Sequence, residues 1–375
     1  MSSTRNSVIS KASPHTIKKF ELIEEYIKSW AQKLLLSNYC SELIFIDCMC
    51  NSGIYTNNAG EYVNGTAIRV SEALRDVAKT YQDKRIHIYL NDKDRARVDE
   101  LIKHLPESEF NFSIVTTCRD AHDLLRTIGP QLSETKHLHY FLLYDPYDAN
   151  IDWEALLPFF KNWGEVMINH MVSDPVRAIT TAKKNVTKEK YEKTYLEDFE
   201  KLLPYGSDMA AYEARVEKII NSLKGERRYY VSAFPFYNTQ NSLIYNLIHC
   251  TSNKEGFKLY KKSAWKVFGA QSSTKHIDKN VQLSFDVSDI DSNVEDKNCY
   301  QVDDIAKYLQ NSFRGRRQVP LYELWELLDN HPIFPSTGFR KEIKEDLEEQ
   351  YEAKSEMIFN PNTGKKETVL SFSMK

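Results

Sequence analysis

The sequence of 375 residues lacks an excess of charge of either sign, with a formal net charge of −3 at pH 7. Attachment to nucleic acid by bulk positive charge is therefore not expected, which leaves only a local basic patch for that role. No apolar run is long enough to span a bilayer and no secretory leader is recognisable, so the expected location is the cytoplasm, with no membrane partner. The six cysteines (40, 48, 50, 118, 250 and 299) have neither the paired spacing of a zinc site nor the density of a disulfide scaffold. No metal is expected. There is no Gly-x-Gly-x-x-Gly after a strand-like segment, so the backbone cradle for a pyrophosphate is missing, and no Walker A sequence occurs. These absences weigh against a dinucleotide oxidoreductase and a nucleoside triphosphatase, and favour a cofactor without phosphates. No internal repeat is present.

What the chain does have is the stretch Leu43-Ile-Phe-Ile-Asp-Cys-Met-Cys-Asn-Ser-Gly-Ile-Tyr55. Its uninterrupted apolar run reads as a buried parallel strand. The strand ends on Asp47 and breaks into a loop where Asn51 and Gly53 tolerate positive φ. Ligands of open α/β sheets sit beyond the carboxyl ends of strands, and this loop is the expected site.

Around it, helical spacing of Phe20, Ile23, Ile27, Trp30 and Leu34 predicts an amphipathic helix over 14–36, with Ser13-Pro14 as cap and first-turn proline. A second helix is expected over 66–79 and strands over 86–90, 112–115, 139–144 and 165–169. Alternating strands and helices predict βαβ units and a mainly parallel sheet. Two further strands, 229–236 and 243–251, read as an antiparallel pair, followed by a helix over 256–268. The expected division is a mobile terminus 1–12, an α/β domain 13–270 with a charged helical insertion at 178–228, a polar linker 271–298 (with one strand near 283–287) and a small domain 299–375. In the last, helices over 303–312, 320–330 and 336–351 precede a hairpin, the order of a winged helix.

Three successive strands end near an acid: Asp47, Asp92 and Asp120. A nucleoside cofactor lying across the sheet needs such groups. The carboxylate after the second strand can accept from ribose hydroxyls, and the one after the third from an exocyclic amine. Each charge-assisted bond is worth ~1.5–3 kcal/mol. Acids also cap helices, so any single one of the three is weak evidence. Asp145-Pro146-Tyr147 follows the most apolar strand. In amino-methylating enzymes an acid and a proline carbonyl accept the amine's protons while an aromatic ring stacks on the acceptor; the alternative is a strand-ending turn. Cys48 and Cys50 read as small apolar packing, and His170 as a structural histidine. The last helix carries Arg340, Lys341 and Lys344 against six acids, so protein contact is expected of that domain before DNA.

Together these residues resemble the three-Cys-motif partner proteins, a bacterial family with a class I methyltransferase-like, Rossmann-like fold. The resemblance runs through Lys18, Tyr26 and Trp30, Asp47…Gly53-x-Tyr55, Gly65-Thr-Ala67, Asp145-Pro-Tyr147, Asn169, Tyr245-Asn-Leu-Ile-His-Cys-Thr251, Gly256 and Trp265. It implies S-adenosylmethionine (SAM) as cofactor, held by Asp47, Asn51, Gly53, Tyr55, Asp92 and Asp120, with Asp145, Pro146 and Tyr147 as the catalytic group. It implies a winged-helix-like C-terminal region and, as partner, a radical-SAM-like three-cysteine protein encoded nearby. The chain departs from the family loop in replacing two glycines, by Cys48 and Asn51. The function expected is methyl transfer to a nitrogen of a nucleobase, nucleotide or protein group. The alternative is a non-catalytic scaffold of the same fold that joins a partner protein or nucleic acid.

Overall fold

Helix α1 (Pro14–Leu35) starts where Ser13 Oγ accepts the amide of Thr16 and proline occupies the first turn. Its buried face carries Phe20, Ile23, Tyr26, Ile27 and Trp30, the stripe that the spacing predicts. The computed structural model describes residues 8–135, 138–146, 151–160, 163–171, 189, 192–194, 229–276, 299–360 and 364–374.

The strands are β1 (Ser10–Lys11), β2 (Glu42–Asp47), β3 (Ile54–Thr56), β4 (Tyr62–Asn64), β5 (Arg85–Asn91), β6 (Phe112–Thr117), β7 (His139–Tyr144), β8 (Trp163–Met171), β9 (Tyr230–Tyr237) and β10 (Leu243–Thr251). Helices α2 (Thr66–Thr80), α3 (Arg95–Ile102), α4 (Ala121–Glu134), α5 (Trp153–Leu156) and α6 (Lys254–Val267) lie between or after them. Seven strands form one sheet in the order β6-β5-β2-β7-β8-β10-β9. β2 pairs in parallel with both β5 and β7, whereas β10 is antiparallel to both neighbours. One apolar layer holds α1, α2 and α6 against the sheet; a second, with α4 and α5, covers the opposite face.

Alternation along each strand divides the sheet cleanly. Phe141 and Leu143 of β7 face α1, while Tyr140, Leu142 and Tyr144 face α5. Asp145 continues the first set. Among the described residues, no helix is long and apolar enough to cross a membrane.

Three differences from the sequence reading stand out. Residues 10 and 11, expected to belong to a mobile terminus, pair in parallel with Tyr55 and Thr56, and Ala12 is buried with its amide on the Thr56 carbonyl. A two-residue strand leaves no periodic signal. The last helix starts at Arg340 instead of 336, because Gly338 takes φ +95° in the preceding turn. The short strands β3 and β4 were not anticipated at all. The expected insertion at 178–228 lies outside the described residues apart from helical Glu189 and 192–194, as do 277–298 and the strand expected near 283. Thr194 is buried against α5, its carbonyl accepting from Trp153 Nε1 at 2.7 Å.

The C-terminal part comprises α7 (Val302–Phe313), β11 (Val319–Pro320), α8 (Leu321–Asn330), α9 (Arg340–Glu349), β12 (Lys354–Asn360) and β13 (Lys365–Ser371), the strands in the order β11-β13-β12. Its apolar core is continuous with the α1 side of the main sheet. Trp265 of α6 is fully buried between Phe334 and Phe339 and donates to the Ile333 carbonyl at 3.0 Å. Lys261 Nζ donates to the carbonyls of Leu328 and His331 at 2.8 and 2.6 Å, across the end of α8.

Candidate functional site

The sheet runs outward from β2 through β5 to β6 on one side, and from β7 on the other. The chain reverses direction of winding between β2 and β7, and a crevice opens at the carboxyl ends of two such strands. Asp47 closes β2 there and Asp145 follows β7. Asn91, at the end of β5, stitches the loops together: its Nδ2 donates to the carbonyls of Cys48 and Arg119, both at 3.0 Å, and its Oδ1 accepts from Thr117 and Arg119. The sequence reading, which ends this strand at residue 90, gives Asn91 no role.

The loop after Asp47 takes the predicted left-handed turns, with φ of 57° at Asn51 and 71° at Gly53. A side chain at Gly53 would come within 2.4 Å of Leu101, so the loop lies flat on α3. Gly65, at the head of α2, donates its amide to the Gly53 carbonyl at 2.6 Å. Tyr55 covers Gly65 and packs on Phe20 of α1, the rings 4.9 Å apart. Asn51 Nδ2 reaches Ser10 Oγ at 3.4 Å, which ties the amino-terminal strap to the loop.

The acids are differently engaged. Asp92 is buried, one oxygen accepting the Asn51 amide at 3.0 Å and the other the Asp94 amide at 2.9 Å. It thus shapes the glycine-containing loop. Asp120 caps α4 through the amides of His122 and Asp123 and is exposed. Asp47 is buried with the Met49 amide at 3.2 Å. Burial first, then the charge of Asp145, pushes its carboxyl up to about 8; the Met49 amide and Lys19 oppose this.

Asp145 accepts from Lys19 Nζ and Asn169 Nδ2, each at 2.6 Å, and its side chain keeps 25% exposure. Lys19 is itself buried, with its ammonium 5.2 Å from the centre of the Tyr245 ring. It is the residue that the sequence reading missed, having chosen the neighbouring Lys18, which is exposed and paired with Glu21. The signal existed: Lys19 lies one turn from Ile23 on the apolar face of α1, where a lysine requires a buried acid. Pro146 is buried, and Tyr147 lies outside the described residues. His170 is on the face of β8 opposite Asn169, and burial lowers its imidazole to about 3. Cys48 and Cys50 are buried, their thiols pushed up by burial first and by Asp47 next. Among the described residues, no three His, Cys, Asp or Glu side chains group as a metal site.

The strand order and the site at its reversal form a mixed α/β architecture with a large, mostly parallel sheet of Rossmann-like winding. No family model and no curated protein matches the chain. Solved structures similar to it include Trm1 from Pyrococcus horikoshii in complex with S-adenosyl-L-methionine, at 11% identity and a TM-score of 0.37, covering 70% of this chain and 62% of that one. Loganic acid methyltransferase with S-adenosylhomocysteine is similar at 10% identity and a TM-score of 0.28, covering 69% of this chain and 87% of that one. A putative Zn-dependent alcohol dehydrogenase from Rhodobacter sphaeroides, at 14% identity and a TM-score of 0.26, covers 58% of this chain and 87% of its own. Likeness at this level does not separate one chemistry from another.

Proposed function

We propose that the chain transfers a methyl group from SAM to a nitrogen of a nucleobase, nucleotide or protein group, in the crevice between β2 and β7. The observation that carries this reading is a surplus of carboxylate. Asp145 and Asp92 both lie close enough to act on Asp47, as does Lys19 with the opposite sign. A ligand bearing an ammonium and a sulfonium answers that surplus, and SAM supplies its methyl group from the sulfonium. Asp47, the loop Asn51–Gly53, Tyr55, Asp92 and Asp120 would hold it, Asp92 by shaping the loop.

Asp145 would accept a hydrogen bond from the attacking nitrogen, with the Pro146 carbonyl accepting a second and Tyr147 stacking on the acceptor; as the methyl group leaves sulfur for nitrogen, the nitrogen gives up one proton to solvent. A carboxylate offers about four lone-pair sites, so the bonds from Lys19 and Asn169 leave room for one more donor. Those two residues fix its direction. No strong base is needed when nitrogen, methyl and sulfur are held in line.

A scaffold of the same fold is favoured by one observation: Asp92 and Ser52 are almost wholly buried, and the amino-terminal strap lies on the loop. Calorimetry separates the two readings. SAM should bind, and at pH 7 its arrival should expel the proton held at Asp47, giving a heat that varies with the ionisation enthalpy of the buffer. Asp145→Asn should abolish turnover while SAM binding remains measurable, weakened by the loss of one carboxylate. Absence of binding at millimolar SAM would leave the scaffold.

The family reading, three-Cys-motif partner protein, rests on the motifs alone. The order of α7, β11, α8, α9, β12 and β13 supports a winged-helix-like unit. In α9, Lys341 and Lys344 pair with Glu345 and Glu348, and Arg340 lies over Trp325. A protein surface, such as a three-cysteine partner, suits that helix better than a phosphate backbone.

A further inference from the structure

A second cavity of about 290 Å³ opens beside α1, between the β9–β10 hairpin and residues 271–276. Its wall includes Lys18, Lys275, His15 and His276, with Tyr237 and Phe268 as apolar surface, and among the described residues no acidic side chain lines it. In a chain of net charge −3 that is a pronounced local reversal of sign.

The cavity is built, not formed by loose side chains. The Tyr237 amide donates to Thr274 Oγ1 at 2.7 Å, and Asn241, held at φ 56°, clamps both the amide and the carbonyl of His276 at 2.9 and 3.0 Å. Gln271 Nε2 bridges the carbonyls of Ser273 and Lys275. Lys275 Nζ is thereby placed 5.8 Å from the centre of the Tyr237 ring. The charge of Lys18 is shared with Glu21 outside the pocket, whereas Lys275 has no carboxylate partner among the described residues.

We infer that this pocket binds a phosphate monoester, the phosphate between Lys275, Lys18 and the two histidines and the attached body against Tyr237 and Phe268. Its volume is at the lower edge of ligand sites, about 300 Å³, so it suits one terminal dianion with a small body and not a continuous strand backbone. The pocket is one ring from the crevice. The His15 carbonyl accepts the Tyr245 hydroxyl at 3.1 Å, and Lys19, the partner of Asp145, lies over the Tyr245 ring. If the methyl-transfer reading holds, on which this clause rests, the pocket anchors the phosphate of the acceptor.

The test is NMR of the histidine ring protons in the full chain, with His15→Gln and His276→Gln to assign the signals. Inorganic phosphate, then ribose 5-phosphate against ribose, are titrated at pH 7.5. Phosphate and ribose 5-phosphate should shift both rings saturably, the ester more tightly, and ribose should not. Lys275→Ala should weaken binding about tenfold or more, as expected for one charge-assisted contact. Thr239→Glu, on the exposed rim, should abolish it without disturbing the lysines. Shifts that grow linearly with phosphate, or that persist in Thr239→Glu with unchanged thermal stability, would overturn the assignment. Binding of phosphate alone and not the ester would reduce it to an inorganic anion site and overturn the acceptor role. SAM calorimetry on the wild type is independent: absence of SAM binding overturns methyl transfer and leaves the pocket standing.

Discussion

The pair Lys19–Asp145 and its neighbour Asp47 concentrate the chemistry of this protein in three side chains. Asp47 has a testable signature. Its carboxyl is near its ordinary 3.8 in the unfolded chain and about 8 in the folded one. Between those values the folded state binds more protons, so its contribution is fully present below pH 4 and is lost as pH rises through 8. The wild type should therefore lose stability from this group between pH 5 and pH 8. Asp47→Asn, which cannot ionise, should flatten that part of the profile; thermal unfolding across the range provides the check. An unchanged slope in the variant would mean that another group titrates there.

Elements matter at the next scale because the loop is shaped by its neighbours rather than by its own glycines. Gly65 is the clearest case. A methyl group there would approach the Tyr55 ring to 2.3 Å and the Gly53 carbonyl oxygen to 3.0 Å. Gly65→Ala should push Tyr55 off Phe20 and shift the Gly53 turn, at a cost of ~1–3 kcal/mol typical of overpacking. SAM affinity should fall with it, by calorimetry, while Gly60→Ala, strained by its φ of +82° but with no neighbour to push, should cost stability and leave affinity unaffected. The polar cluster of Tyr26, Glu165 and His249 shows a similar dependence between elements. Glu165 of β8 accepts from Tyr26 of α1 and contacts His249 of β10 at 2.8 Å, all buried. Gly256 of α6 leaves the space for it, since a Cβ there would lie 2.7 Å from Glu165 Oε1.

For the whole molecule, the continuity of the core decides how the C-terminal part behaves. Trp265 and Lys261 of α6 have no accessible surface, and both bond to carbonyls between 328 and 333. Deleting residues 299–375 would bare an apolar face and leave Lys261 without those acceptors. The truncated chain should therefore lose cooperative unfolding rather than persist as a stable SAM-binding unit. Trp265→Ala in the full chain should cost ~3–5 kcal/mol, as for other large core aromatics. Differential scanning calorimetry distinguishes the outcomes: two separate transitions in the full chain would show that the parts fold independently.

Local patterning was enough to place α1 and β7, because apolar residues at a spacing of 3.6 and an uninterrupted apolar run both report burial locally. It also put one acid after β2 and another after β7, strands that the sheet makes neighbours. The left-handed turn at Asn51 was legible for the same local reason. What tertiary structure alone decided is what each acid does. Asp92 meets the Asn51 amide, Asp120 meets the head of α4, and Asp145 meets Lys19 across 126 residues of chain. A carboxylate's partners depend on which elements the sheet brings together, and no spacing encodes them. The same holds for β1, too short to show a period, and for the basic cavity, whose walls come from α1, β9 and residues 271–276.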